Sequence, residues 1–463
     1  MKHTALFTAL AISSTVILSA CVASSDTTSI APDSTPKNII MVVADGMGPA
    51  FPTAYRYYHD DPKTPLVEQT IFDKYYVGSS STYPAATNKS EVLNASNNLY
   101  VTDSAASATA LATGVKTYNG AIGVDVDKQP LLSVLDWAKS IGKKTGIAVT
   151  SQIVHATPAS YIAKNEHRRN YNAIADDYFD LKIEGQFKVD VMLGGGTNYF
   201  VREDRDLTAE FVDSGYQYIT DYEQLKSLDA NKPVLGLFAE VSLPASNTVV
   251  KKDQLTTLTK AAVAQLENDN GFFLLVEASQ IDWAAHGNDI SYAMQEMQDL
   301  VTTLNYLEQY VQTHPDTLVV LTADHNTGGL TLGRDGIYEW KPEYIKNLTL
   351  APATIAKQIV EGTTTEDDLA EQLGFTLTDD ELKQFNLIAL EQTLTAENAR
   401  EVGGKYFTFI NKLIDVRSHT GWTTGGHTGV DVPVFAFGQN KDVFNGHQDN
   451  IDIAKKLFTL MGK

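Results

Sequence analysis

Short apolar runs in this chain stop beside carboxylate and imidazole side chains, residue types able to ligate metals, and that register constrains the fold more than any other feature. Ile39–Val43 ends at Ala44-Asp45-Gly46, Phe272–Val276 at Glu277, and Leu318–Leu321 at Asp324-His325. Gly146–Val149 leads through a loop to His155 and Thr157, Val189–Leu193 runs into Gly194-Gly195-Gly196, and Val432–Phe437 follows Gly425-Gly426-His427. Runs of this length, separated by helical patterns, predict an α/β fold: a mainly parallel central sheet with helices on both faces. In such a sheet ligands bind beyond the carboxyl ends of the strands, where these carboxylates and imidazoles would gather.

Helix signals fall between the runs. Pro130 suits the first turn of a helix through Trp137, and Gly142 can close it. Between residues 330 and 416 no strand brings a site residue. Thr378-Asp379-Asp380-Glu381 reads there as a capping box, and Thr365 and Gly374 bracket another helix. This stretch is expected to be a largely helical insertion in a domain spanning 38–463.

Composition narrows the function. The 463 residues are 43% hydrophobic, enough for a packed core, and their formal charge of −21 argues against a basic nucleic-acid-binding face. The single cysteine excludes an internal disulfide framework and Cys-rich metal sites. It stands in Leu18-Ser19-Ala20-Cys21, after Lys2, His3 and an apolar run of about 14 residues, the pattern of an export signal too short to span a membrane comfortably. Leu-Ser-Ala-Cys resembles a bacterial lipoprotein box. Residues 1–20 are then a signal peptide, Cys21 takes a lipid, and the Ser-, Thr- and Pro-rich stretch 21–37 is a flexible tether. Ordinary cleavage after a small residue such as Ala23 would instead leave a soluble exported protein.

Thr102-Asp103-Ser104-Ala105-Ala106-Ser107 opens a run of small residues that ends at Gly114. Ser104 would sit in the first helical turn, where free N–H groups and the positive dipole end favour an anion. A tightly packed, capped Ala-rich helix explains this segment equally well by itself. Asp282 and His286, four apart, share one face of a helical turn after Glu277. A capped surface helix would place them likewise. His427 and His419 both stand in His-Thr-Gly; His427 follows two glycines and lies closer to the run Val432–Phe437. Oxygen and imidazole donors without sulfur suit Zn²⁺ together with a harder ion such as Mg²⁺.

Taken in order, Ala-Asp45-Gly-Met-Gly, Thr-Asp103-Ser104-Ala-Ala-Ser, His155-Ala-Thr157-Pro-Ala-Ser, Glu277-Ala-Ser-Gln-Ile-Asp282 with His286, Asp324-His325 and Gly-Gly-His427-Thr-Gly resemble the alkaline phosphatase family. The resemblance implies a phosphate-monoester hydrolase with two Zn²⁺ and one Mg²⁺ per subunit, broad in substrate and active at alkaline pH. It implies Asp282, His286 and His427 around one zinc and Asp45, Asp324 and His325 around the other. Asp45 would also bridge to magnesium with Thr157, Glu277 and His155, the last directly or through water. Ser104 would be the nucleophile and become phosphorylated. An arginine, Arg168 or its neighbour Arg169, would clamp the phosphate; family spacing favours Arg168, with Asp103 orienting it. Trp283 stands at a substrate-binding position where some members have lysine, and it brings no positive charge to the phosphate. The family is commonly dimeric.

The implied charges balance. Three divalent ions and Arg168 give about +7 against about −5 from Asp45, Glu277, Asp282, Asp324 and a Ser104 alkoxide, which leaves room for a phosphate dianion. A phosphodiesterase or sulfatase-like hydrolase on the same scaffold is the nearest alternative. A lipid-tethered phosphate- or metal-binding protein without catalysis is a second. Membrane association is expected only through the N-terminal lipid.

Overall fold

The computed structural model describes residues 35–85, 100–391, 395 and 397–463. The expected signal peptide and Cys21, with most of the tether, lie outside them. Regular structure begins with β1 (Asn38–Ala44), followed by β2 (Tyr76–Ser81), β3 (Lys144–Gln152), β4 (Val191–Gly195) and β5 (Gln217–Ile219). After these come β6 (Val234–Leu237), β7 (Phe272–Ala278), β8 (Thr317–Thr322), β9 (Val432–Gly438) and β10 (Gly446–Asp449). They form one ten-stranded sheet in the order β10-β2-β9-β8-β1-β7-β3-β4-β6-β5. Every neighbouring pair is parallel except the two made by β9, which runs against β8 and β2.

The central strands are apolar throughout because both faces are covered. Ile40 and Val42 of β1 pack into the core on one side, and Ile39, Met41 and Val43 into the core on the other. The sheet thus matches the expected architecture. Two details differ from the sequence reading. The helix near Pro130 is Val134–Ser140, because Ser133 and Asp136 form a capping box that starts it later; Pro130 lies in an extended bridge to Val124 instead. The run at Val189 becomes a strand only at Val191 and continues into Gly195, where a Cβ would stand 2.1 Å from the Val241 carbonyl oxygen.

Helices Glu343–Lys346, Pro352–Val360, Glu366–Leu373, Asp379–Glu391 and Ala399–Ser418 occupy the stretch expected to be helical. Thr365 and Gly374 do cap Glu366–Leu373, and Thr378 and Glu381 make the reciprocal bonds of a capping box. At its base this helical unit is fastened by a short antiparallel ladder, Thr331 opposite Gly421 and Leu332 opposite Thr420. It therefore leaves and rejoins the sheet region at one point.

Candidate active site

Five adjacent strands, β9-β8-β1-β7-β3, bring their site residues to a single edge of the sheet. Asp45 follows β1, Asp324 and His325 follow β8, and His155 and Thr157 open the helix after β3. Glu277 is the next-to-last residue of β7, and Asp282 and His286 stand on the helix Gln280–His286 beyond it. His427 precedes β9, and only the reversal of that strand puts its beginning at the edge where the others end.

The side chains converge in three groups whose donor atoms lie within 4.8 Å of one another: Asp45, Asp324 and His325; Asp45, His155 and Glu277; and Asp282, His325 and His427. His286 joins the last, its Nε2 3.3 Å from Asp282 and 3.2 Å from His427 Nε2. The fit to cations is visible in the unpaired atoms. Both oxygens of Asp45, Glu277 Oε1, Asp324 Oδ2 and Thr157 Oγ1 are buried with no hydrogen-bond partner. Buried carboxylates without donors are costly, and positive ions would satisfy them. Burial and the facing Asp324 push Asp45 well above the usual carboxylate range, and burial followed by Asp282 does the same to Asp324. Glu277 is pushed by burial up to about 7. Burial would also raise Asp282, but the hydrogen bond from His286 and the nearby imidazoles outweigh it and hold the carboxyl far down.

The imidazoles are oriented as ligands are. His286 Nδ1 faces the Gly425 carbonyl at 2.7 Å, and His427 Nδ1 faces the Thr102 carbonyl at 2.8 Å. His325 Nδ1 lies 3.1 Å from Thr327 Oγ1, whose own proton goes to Asp282. In each ring Nδ1 is therefore a donor and Nε2 points into the cluster. On His286 that nitrogen also donates to Asp282, whose carboxylate pushes the imidazole up to about 9, and a cation would displace that proton. Three imidazole Nε2 atoms and four carboxylates around a common space suit cations.

Ser104 opens the helix Ser104–Thr113 and its hydroxyl reaches His325 Nε2 at 3.1 Å. Asp103 is the N-cap, accepting from Ala106 N at 2.9 Å through Oδ1, while its Oδ2 holds Arg168 Nη1 at 3.1 Å. Arg168 also donates through Nη2 to His155 Nε2 at 3.2 Å. Burial and the Arg168 charge bring His155 down to about 3, so its ring is neutral. The Trp283 ring stands edge-on to His155 at 5.8 Å.

The alkaline phosphatase family model matches residues 36–462. The chain belongs to the alkaline phosphatase family. It is 44% identical over 429 residues to alkaline phosphatase 3 of Bacillus subtilis, which covers 91% of this chain and 88% of that one. It is 31% identical to the repressible alkaline phosphatase of Saccharomyces cerevisiae, covering 91% and 80%. Its fold superposes on the cold-active alkaline phosphatase of a psychrophilic Shewanella with a TM-score of 0.83 and 46% identity, covering 92% of this chain and all of the other.

As an alkaline phosphatase the chain hydrolyses phosphate monoesters, and its metal-capable groups suit a metal-dependent family. The two ambiguous pairs separate in space. Arg168 reaches Asp103 and His155, whereas Arg169 is exposed and its backbone N–H meets His167. His419 is the left-handed C-cap of Ala399–Ser418 and lies beside Glu339, while His427 is in the cluster.

Sequence reasoning missed the residues that hold the ligands. Thr327, Ser151 (to Glu277 Oε2, 3.1 Å) and the Gly46 N–H (to Asp324 Oδ1, 3.1 Å) do so, as do the Thr102 and Gly425 carbonyls. Backbone groups leave no mark on residue type. The two glycines after Asp45 do leave one. A Cβ on Gly46 would come 2.7 Å from Asp282 Cα, and one on Gly48 would stand 1.8 Å from Asn326 Oδ1.

Proposed function

We propose that this alkaline phosphatase transfers the phosphoryl group of a monoester to Ser104 and then to water, using two Zn²⁺ and one Mg²⁺. Asp282, His286 and His427 would hold one zinc, and Asp45, Asp324 and His325 the other. Asp45, Glu277 and Thr157, with His155, would hold the magnesium. The observation that carries the reading is the Ser104 hydroxyl at a helix N-terminus, 3.1 Å from His325 and next to buried carboxyl oxygens that have no other partner. When bound, the ions supply positive charge against the phosphate and lower the pKa of oxygen nucleophiles.

The chain's own groups do the rest. Arg168 is half-buried and fixed from behind by Asp103, so the guanidinium is already aimed before two phosphate oxygens arrive. Ser104 Oγ attacks phosphorus and forms a P–O bond as the ester P–O bond breaks. The hydroxyl gives its proton to solvent and the ester oxygen takes one from solvent, leaving as the alcohol. Free N–H groups of the first helical turn face the transferring phosphoryl group. Water then attacks the phosphoserine from the side the alcohol left, and Ser104 regains its proton. Trp283 walls the site without charge, so phosphate departs from Arg168 and the ions alone.

Export with lipid attachment at Cys21, a homodimeric assembly and an insertion at about 330–416 in a 38–463 catalytic domain complete the reading. Among the described residues no helix is long and apolar enough to cross a membrane. The deciding experiment is phosphate release from aryl monoesters by the Zn²⁺- and Mg²⁺-loaded protein beside Ser104→Ala. Equal rates would overturn the serine mechanism.

A further inference from the structure

We propose that Asp415, on the helical unit outside the sheet, is a positioning residue for the zinc site of Asp282, His286 and His427, acting through Trp422. The inference rests on the metal reading above and assigns that helical unit a part in it.

Asp415 stands near the end of the helix Ala399–Ser418 and is buried. Its Oδ1 accepts from the indole N–H of Trp422 at 3.2 Å. Trp422 begins the loop that ends in His427. The loop is folded around Gly328, whose carbonyl accepts from Thr423 N at 2.9 Å and Thr424 N at 3.1 Å, while Gly328 N donates to the Gly426 carbonyl at 2.9 Å. The Trp422 ring lies flush on Gly328, where a Cβ would meet it at 2.6 Å.

The bottom of this loop is the Gly425 carbonyl that takes the His286 Nδ1 proton at 2.7 Å, and its far end is His427 itself. Two imidazoles of one cluster therefore depend on the height of a single loop. The indole sets that height, and Asp415 fixes the indole. Apolar packing does not account for a carboxyl group here, since burying one against a single neutral donor costs free energy that an apolar residue would not incur. Arg334 and Asp289 are the charged groups whose fields act on it, in opposite directions.

The test is zinc release from the loaded holoenzyme to a chromogenic chelator, alongside thermal unfolding. Asp415→Leu and Trp422→Phe, which keep bulk and remove the acceptor or the donor, are expected to release zinc about ten-fold faster than wild type. Their combination should be no faster than either alone, and Asp415→Asn, which keeps the acceptor oxygen, should stay within about two-fold of wild type. A folded Asp415→Leu or Trp422→Phe with the wild-type release rate overturns the proposal, as does Asp415→Asn behaving like Asp415→Leu. His427→Ala is the reference. If it holds as much zinc as wild type, the metal reading itself falls and this inference with it. If it loses zinc while both relay variants retain it normally, only the relay fails.

Discussion

Ser104 Oγ and His325 Nε2 lie 3.1 Å apart, and the same nitrogen is 3.2 Å from Asp324 and 3.4 Å from Asp45. One imidazole lone pair thus meets a hydroxyl and two carboxylates, an arrangement that suits a cation shared by all four. In the proposed mechanism such an ion, and not a histidine base, would activate Ser104.

Removal of that hydroxyl is the sharpest prediction. Ser104→Ala should lower kcat by at least about 10³-fold and abolish acid-stable phosphoprotein formed from labelled substrate. Zinc and magnesium content should be unchanged, as measured by elemental analysis.

Arg168 should separate monoester from diester chemistry. Its fork binds two oxygens, so Arg168→Lys is not conservative. The variant should lose about 10²-fold in kcat/KM on an aryl phosphate monoester. The loss on the matching diester, which presents less charge, should be clearly smaller. Asp103→Ala should shift the same way to a lesser degree, because it frees Arg168 and uncaps the Ser104 helix. Equal losses on both substrates would argue against the clamp.

Chelation should cost stability as well as activity. Without cations, Asp45, Glu277 and Asp324 keep buried, unpaired oxygens. The metal-free protein should melt several degrees lower, and added Zn²⁺ with Mg²⁺ should restore both melting temperature and rate.

A buried acid that belongs to none of the metal-capable groups gives a pH signature of its own. Glu296 accepts from Ser246 N and Oγ at 3.0 and 2.6 Å, and burial pushes its carboxyl up to about 7 from 4.5. Between those values the folded state binds the extra proton, so stability falls as pH rises through the window and the penalty is complete above it. Glu296→Gln should therefore be more stable than wild type by about 3 kcal/mol at pH 8, a margin that shrinks to about 1 kcal/mol at pH 5. Urea unfolding at the two pH values measures the difference.

Gly48→Ala tests the close approach beside Asp45. The new Cβ would overlap Asn326, which donates to Thr428 Oγ1 at 2.6 Å and braces the His427 strand end. A loss of about 1–3 kcal/mol in unfolding free energy is expected, with weaker zinc retention.

Much of this centre was legible in the sequence, for physical reasons. Asp45, Glu277, Asp324 and His325 each end an apolar run, and strand period and run length alone place them at one edge. Asp282 and His286 follow from helical spacing. His427 was harder to place, since its position depends on β9 running backwards, and strand direction is set by pairing partners far along the chain. The choice of Arg168 over Arg169 needed the turn that sends one side chain to Asp103 and leaves the other in solvent. The orienting Gly425 and Thr102 carbonyls were invisible, because every residue has one. Pro130 misled for the opposite reason: a strong local signal lost to the better capping box at Ser133 and Asp136.

The late position of His427 in the chain also fixes when the cluster can be complete. Asp45 is among the first folded residues to be synthesised and His427 among the last. A chain emerging from its N-terminus assembles β1, β3, β7 and β8 with their carboxylates while the imidazole on the final approach is still missing. Such a chain has Ser104 and the clustered carboxylates but lacks His427 from the group it forms with Asp282 and His325. The cluster is complete only once the last strand of the central five has been made, so its assembly depends on the two ends of the chain meeting.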